Sequence, residues 1–167
     1  MDYFDTRHNI EKIVHTELRK KHGDDAITQR LTPGMTLTTS APADYVAAIG
    51  IAQQVARVAQ SLAYDYAKKA RGEGKPWDAL AEPLGLSTDP DEYGNSAAEA
   101  AFELVAPKPS MRFDLVTVHW TCASCGQSIT DKGPYNGHPD DDETGHADDC
   151  ARHLAEVAAW TRAWGDE

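Results

Sequence analysis

The sequence predicts a mainly α-helical chain that ends in a small α+β metal-binding element. Two patterns lead there: long stretches in which apolar residues recur every three or four positions, and a Cys-x-x-Cys-Gly segment followed by a His-x-x-x-Cys pair near the C-terminus. The 167 residues, 41% hydrophobic and 26% charged, suffice for one compact domain or two small modules and exclude a wholly disordered chain. A net charge of -11 excludes a generally basic protein that coats nucleic acid or an anionic membrane. Only residues 41 to 75 lean clearly positive, so any contact with DNA must use a local patch.

Each element follows from spacing and from the residues that start and stop it. Ile10, Ile13, Val14 and Leu18 predict a first helix over residues 7 to 22, with Arg19, Lys20 and Lys21 at its negative end and Gly23 as its stop. From Asp24 to Pro42, Thr, Ser, Pro and Gly follow without period, which predicts a loop or hinge. From Ala43, the set Val46, Ile49, Val55, Val58, Leu62 and Tyr66 predicts one long helix ending before Gly72. Pro76 suits the first position of the next helix, in which Trp77, Leu80 and Leu84 share a face before Gly85. Asn95 or Ser96 caps a fourth helix from Ala97 to Val105, terminated by Pro107 and Pro109. Phe113, Leu115, Val116, Val118 and Trp120 read as strand. The expected divisions are residues 1–40 (helix and linker), 41–110 (helical domain) and 111–167 (metal-binding domain with a C-terminal helix).

The stretch AKKARGEGKPWDALAEPLGL followed by SAAEAAFELV resembles an actinobacterial helix-turn-helix pattern: Trp77, Leu80, Ala81, Leu84, Gly85 and Leu86 match its first helix and turn, and Ala100, Ala101 and Phe102 its second. Two short helices crossing steeply need small residues at the crossing and a glycine at the turn. The resemblance implies duplex DNA as a partner, with Lys68, Lys69, Arg71 and Lys75 on one side, Lys108 and Arg112 on the other, and Asn95 and Ser96 at the start of the second helix as candidate contacts. This sequence departs from the pattern in its long turn, Ser87 to Gly94, and in a second helix that offers Glu99 and Glu103 but no Arg or Lys for reading bases.

The strongest chemistry lies in the last third. Cys122 and Cys125 of Cys-x-x-Cys-Gly place two thiolates on one side of a tight turn, and His146 with Cys150 completes a four-ligand set, expected as an i, i+4 pair at the start of a helix. The whole resembles a treble-clef zinc finger, which implies a structural Zn2+ held by Cys122, Cys125, His146 and Cys150. His138 and His153 are the competing ligands, and a redox Cys-x-x-Cys lacks the thioredoxin-like pattern around it. Asp140, Asp142 and Thr144 faintly echo a calcium loop, but Ala151 stands where a bidentate Glu is required. A ββα-metal nuclease would need a partner that His119 and His138 lack. Trp160 and Trp164, one helical turn apart, are expected to pack on the core.

The expected architecture is therefore a helical bundle with a helix-turn-helix-like core plus a small treble-clef-like zinc finger. The expected function is a zinc-containing, DNA-associated regulator of transcription or of a mobile element; the alternative is a protein-interaction adaptor. No nucleophile with its base and no phosphate loop suggests an enzyme. The start MDYFDTRHN lacks the apolar core of a signal peptide, so a cytoplasmic location is expected and a membrane is not. The stripe of Ile10, Ile13, Val14 and Leu18 suits packing within the chain or pairing as a homodimer.

Overall fold

The computed structural model describes residues 2–31, 36–90, 94–106, 116–135 and 137–165. Among them are six α-helices, a two-stranded and a three-stranded antiparallel sheet, so the chain is mainly α with a small α+β part. They divide into two compact units, residues 1–61 and 62–167, with the boundary inside the longest helix. No helix among the described residues is long and apolar enough to cross a membrane.

In the first unit, α1 (Tyr3–His22) starts earlier than its apolar stripe because the Asp2 side chain accepts the Phe4 N–H and caps it. Gly23, at φ 85°, ends it. The segment expected as a loop is instead a 3-10 turn (Asp24–Ala26) and a hairpin of β1 (Ile27–Leu31) and β2 (Thr38–Pro42), in register from Ile27 opposite Pro42 to Leu31 opposite Thr38. Both strands are largely exposed, so no buried face imposed the alternation by which a strand is recognised. Asp44 then caps α2 (Tyr45–Gly72), its carboxylate accepting the N–H groups of Val46 and Ala47. The buried side of α2 here is Ala48 and Ile51, set against Val14 and Leu18 of α1. Val46 and Ile49, which helped reveal the helix by their spacing, lie exposed.

The described residues of the second unit share one core. It joins Ala67 of α2, Trp77, Leu80 and Ala81 in and beside α3 (Asp78–Ala81), Ala101, Phe102 and Val105 of α4 (Ala97–Val105), and the sheet residues Val118, Trp120 and Ile129. Trp77 meets Phe102 edge to face at 5.4 Å, and Phe102 meets Tyr135 likewise at 5.7 Å. Helix α3 is a single turn, starting two residues after the Pro76 expected to open it and ending before Leu84; its chain turns through Gly85, at φ 78°. Helix α4 has the expected bounds, set by a capping box in which Ser96 Oγ accepts the Glu99 N–H and Glu99 Oε2 accepts the Ser96 N–H.

The sheet consists of β3 (Val118–Thr121), β4 (Ser128–Asp131) and β5 (Glu143–Thr144). Of the residues expected as strand, Val118 and Trp120 are in β3, Val116 precedes it, and Phe113 and Leu115 lie outside the described residues. The one-turn helix α5 (Pro139–Asp142) leads into β5, so Asp140, Asp142 and Thr144 belong to a helix and a strand, not to a cation loop. Helix α6 (Ala151–Trp164) closes the unit; Trp160 packs on His138 at 4.4 Å, whereas Trp164, expected against the core, is 73% exposed at the helix end.

The end of α2 abuts the Cys-x-x-Cys turn. Gly72 O accepts the Ala123 N–H at 2.9 Å, and a Cβ on Gly72 would stand 2.3 Å from Thr121 O. Because that neighbour is backbone, Gly72→Ala forces the helix end and the turn apart, and a loss of about 1–3 kcal/mol is expected in denaturant unfolding. Gly50→Ala, where a Cβ meets nothing within 4 Å, is the control and leaves stability unchanged or raised.

Candidate metal centre

The turn between β3 and β4 aims two sulfurs to one side. Cys122 N–H bonds Gln127 O and Gly126 N–H bonds Cys122 O, closing a tight loop that Gly126 completes at φ 70°. The other two donors come from the approach to α6. Cys150 is the N-cap of α6, and His146 stands in the preceding turn. The two therefore do not share a helix face as the i, i+4 spacing suggested. Gly145, at φ 104° and with its missing Cβ only 2.8 Å from Ser128 O, swings the chain so that His146 faces the turn from outside the helix.

The four candidate ligands come together. Their donor atoms all lie within 4.8 Å of one another, with Cys122 Sγ 3.8 Å from Cys150 Sγ and Cys125 Sγ 3.8 Å from His146 Nδ1. Cys122 and Cys150 are buried, Cys125 and His146 partly so. Backbone amides supply the electrostatics. The N–H groups of Ala147 and Gln127 bring the Cys125 thiol down to about 6. At Cys150 burial acts to raise the thiol, but the His153 amide in the first turn of α6 helps to bring it below its ordinary value. Burial pushes the Cys122 thiol up, against the amides of Cys125 and Ser124. Two of the three thiols are thus prepared as thiolates, and the gathering of the four donors suits a metal ion. Known protein families, curated proteins and solved structures offer no match to this chain.

Behind the ligands lies a buried charge network that the sequence did not reveal. His146 presents Nδ1 to the cluster and Nε2 to Glu143 Oε2 at 3.0 Å, so a carboxylate orients the imidazole for ligation. Burial works against the Glu143 carboxylate, yet the Arg71 charge and hydrogen bonds from His146 and Arg152 hold it below its ordinary value. Glu143 and Asp131 are cross-strand partners in β5 and β4, two like charges side by side, which alone would be destabilising. Arg71 clamps both, donating from Nη2 to Glu143 Oε1 and from Nε to Asp131 Oδ2. Asp131, 1% exposed, also accepts the indole N–H groups of Trp77 and Trp120, each at 3.0 Å, and the Gly133 N–H at 2.9 Å. Arg152 in α6 donates to both Glu143 oxygens and stacks over the Trp120 ring at 4.7 Å.

These positions correct the DNA-facing assignment of Arg71. It is 6% exposed and both its charge and its donors are used inside the unit, so it cannot serve as a surface phosphate contact. Lys68 pairs with Asp65 at 2.8 Å, Lys69 lies over the Tyr66 ring at 5.8 Å, and Lys75 is exposed. Ser96 is engaged in the cap of α4, Asn95 precedes it on the surface, and Lys108 and Arg112 lie outside the described residues. Of the competing ligands, His138 caps α5, accepting the Asp140 N–H. His153 stacks on His146 at 4.4 Å and bonds Asp140 through Nε2 at 2.7 Å. Glu143, His146 and His153 also lie close enough for a metal. That set must share His146 with three thiols and take Glu143 from two guanidinium groups, so the Cys3His set is the stronger.

Proposed function

We propose that this protein is a non-catalytic protein-interaction module whose C-terminal unit is held together by one structural zinc ion at Cys122, Cys125, His146 and Cys150. Three thiolates and one imidazole are a zinc donor set, and zinc–sulfur bonds of about 2.3 Å give a tetrahedron with edges of about 3.8 Å, the separation found for Cys122 and Cys150. Four protein donors leave no position for a catalytic water. Arg152 Nε, buried with no acceptor, lies on a guanidinium that also reaches toward Cys122, where a thiolate-rich centre of net negative charge suits it.

The observation that carries the interaction role is the use made of α4. A recognition helix packs one face on its own core, as Ala101, Phe102 and Val105 do here, and lays the other in the major groove; α4 carries Glu99, engaged in its cap, and the exposed Glu103, but no Arg or Lys. Residues 62–167 contain twenty Asp and Glu against nine Lys and Arg, and even with Asp131, Glu143 and Arg71 buried this balance suits a basic partner protein. The exposed Lys69 and Lys75 beside Lys68 favour a second role, a zinc-containing DNA-associated regulator that holds phosphates at the end of α2.

Titration of the zinc-loaded chain with random duplex DNA at two salt concentrations separates the two. No binding at low salt is expected of the interaction module. Affinity that falls steeply with salt, and falls further in Lys68→Glu/Lys69→Glu, would transfer the assignment to the regulator.

A further inference from the structure

The first unit leaves much of its apolar surface uncovered. Among its described residues only Val14, Leu18, Ala48 and Ile51 form a buried apolar cluster, a small core for a segment of about 60 residues. A two-stranded hairpin exposed along most of both strands adds little. Large apolar side chains meanwhile face outward on both helices: Tyr3 and Phe4 are 69% and 75% exposed, and Val46 and Ile49 are 78% and 63% exposed. Between α1, α2 and β2 runs a groove of about 660 Å³ whose floor includes Ile10, Val14, Tyr45 and Ile49. Exposed apolar side chains gathered beside a groove mark an interface.

We infer that this groove is covered by the same unit of a second copy of the chain, forming a two-fold dimer through α1 and α2. Charge selects that occupant. Residues 1–61 contain seven acidic and seven basic residues, so two copies of this unit meet without net repulsion, whereas all of the net charge of -11 lies in residues 62–167. Among the groove's lining residues, Arg7 and Glu11 are the Arg/Lys and Asp/Glu members, paired at 3.1 Å on adjacent turns of α1 and both largely exposed. A two-fold axis that sets two α1 helices antiparallel between these positions puts each Arg7 against the Glu11 of the other copy, so the ionic rim is self-complementary as an isologous contact requires. The apolar stripes of Ile10 and Ile49 then close over each other.

Sedimentation equilibrium of the full, zinc-loaded chain over a range of concentrations tests this. Twice the chain mass is expected, with Ile49→Glu raising the dimer dissociation constant by about thirtyfold or more. Because Ile49 is exposed, this variant keeps its helical circular dichroism, which separates lost pairing from lost folding. Arg7→Glu should weaken the dimer, and the exchanged pair Arg7→Glu/Glu11→Arg should restore it. A chain that remains monomeric throughout, or a dimer indifferent to Ile49→Glu and to the charge exchange, overturns the inference. The result is independent of DNA binding and of the zinc ligands, all of which lie in the other unit.

Discussion

Removing the metal with a chelator is expected to unfold residues 62–167. Structural zinc binding contributes on the order of 10–16 kcal/mol in small zinc-dependent domains, as much as or more than the roughly 5–15 kcal/mol by which a domain is stable at all. In this unit the ligands also tether the parts: Cys122 and Cys125 belong to the β3–β4 turn, and Cys150 opens α6. Without an ion, three thiols and an imidazole crowd together beside the core, and among the described residues α6 keeps only its Arg152 contacts to Glu143 and Trp120 to hold it against the sheet. Cys122→Ser and Cys150→Ser, at 0% and 2% exposure, should act as chelation does. Circular dichroism melting with and without chelator checks this: a cooperative high-temperature transition should vanish and return on adding zinc. A melting curve indifferent to chelator would mean that the apolar core suffices.

Arg71→Ala is expected to destabilise the second unit by about 3–5 kcal/mol, the usual cost of leaving buried carboxylates without their counterion. Asp131 and Glu143 lie opposite one another on neighbouring strands, and Arg71 is the cation that bridges them. Arg152 remains on Glu143 in this variant, so Asp131 bears most of the loss, with its two indole donors but no cation. Lys69→Ala, two residues away and exposed, should change stability by no more than about 0.5 kcal/mol. Denaturant unfolding of the two variants makes the comparison. Equal small effects would show that Arg71 is a surface residue after all. A double-mutant cycle with Asp131→Ala should return a coupling of about 1–3 kcal/mol.

The contrast between these two residues shows what the sequence can and cannot convey. Arg71 follows two lysines and precedes Gly72, so it reads as the last of a basic run at a helix end; its withdrawal depends on Trp77, Trp120, Asp131 and Glu143, which arrive from distant segments. No local pattern announces that convergence. Asp131 before Lys132 and Gly133 looks like a turn residue, and Glu143 like one more member of an acidic run. The only available hint was composition: two tryptophans whose indole N–H groups require acceptors once buried.

The Cys3His cluster, by contrast, was legible because residues suited to ligation are constrained in type and short spacing together, and Cys-x-x-Cys-Gly can be made by few backbones other than a tight turn. What the spacing misplaced was the helix start, since an i, i+4 separation does not distinguish a helical turn from a loop bent by Gly145. Helices α2 and α4 were legible from period and caps; the β1–β2 hairpin was not, because strands exposed on both faces carry no alternation. The segment Gly133-Pro134-Tyr135 has a packing explanation that only the fold supplies. Gly133, at φ 90°, has no room for a Cβ between Phe102 and Tyr135, and Tyr135 donates its hydroxyl to Glu103 at 3.3 Å.

The most direct test of the account is the metal content of the purified chain, measured by native mass spectrometry with elemental analysis. One zinc per chain is expected, retained through gel filtration and lost in Cys150→Ser. A chain that folds without any metal, or one that keeps a full equivalent of zinc after Cys122 and Cys150 are both replaced by serine, would contradict the assignment of the Cys3His centre.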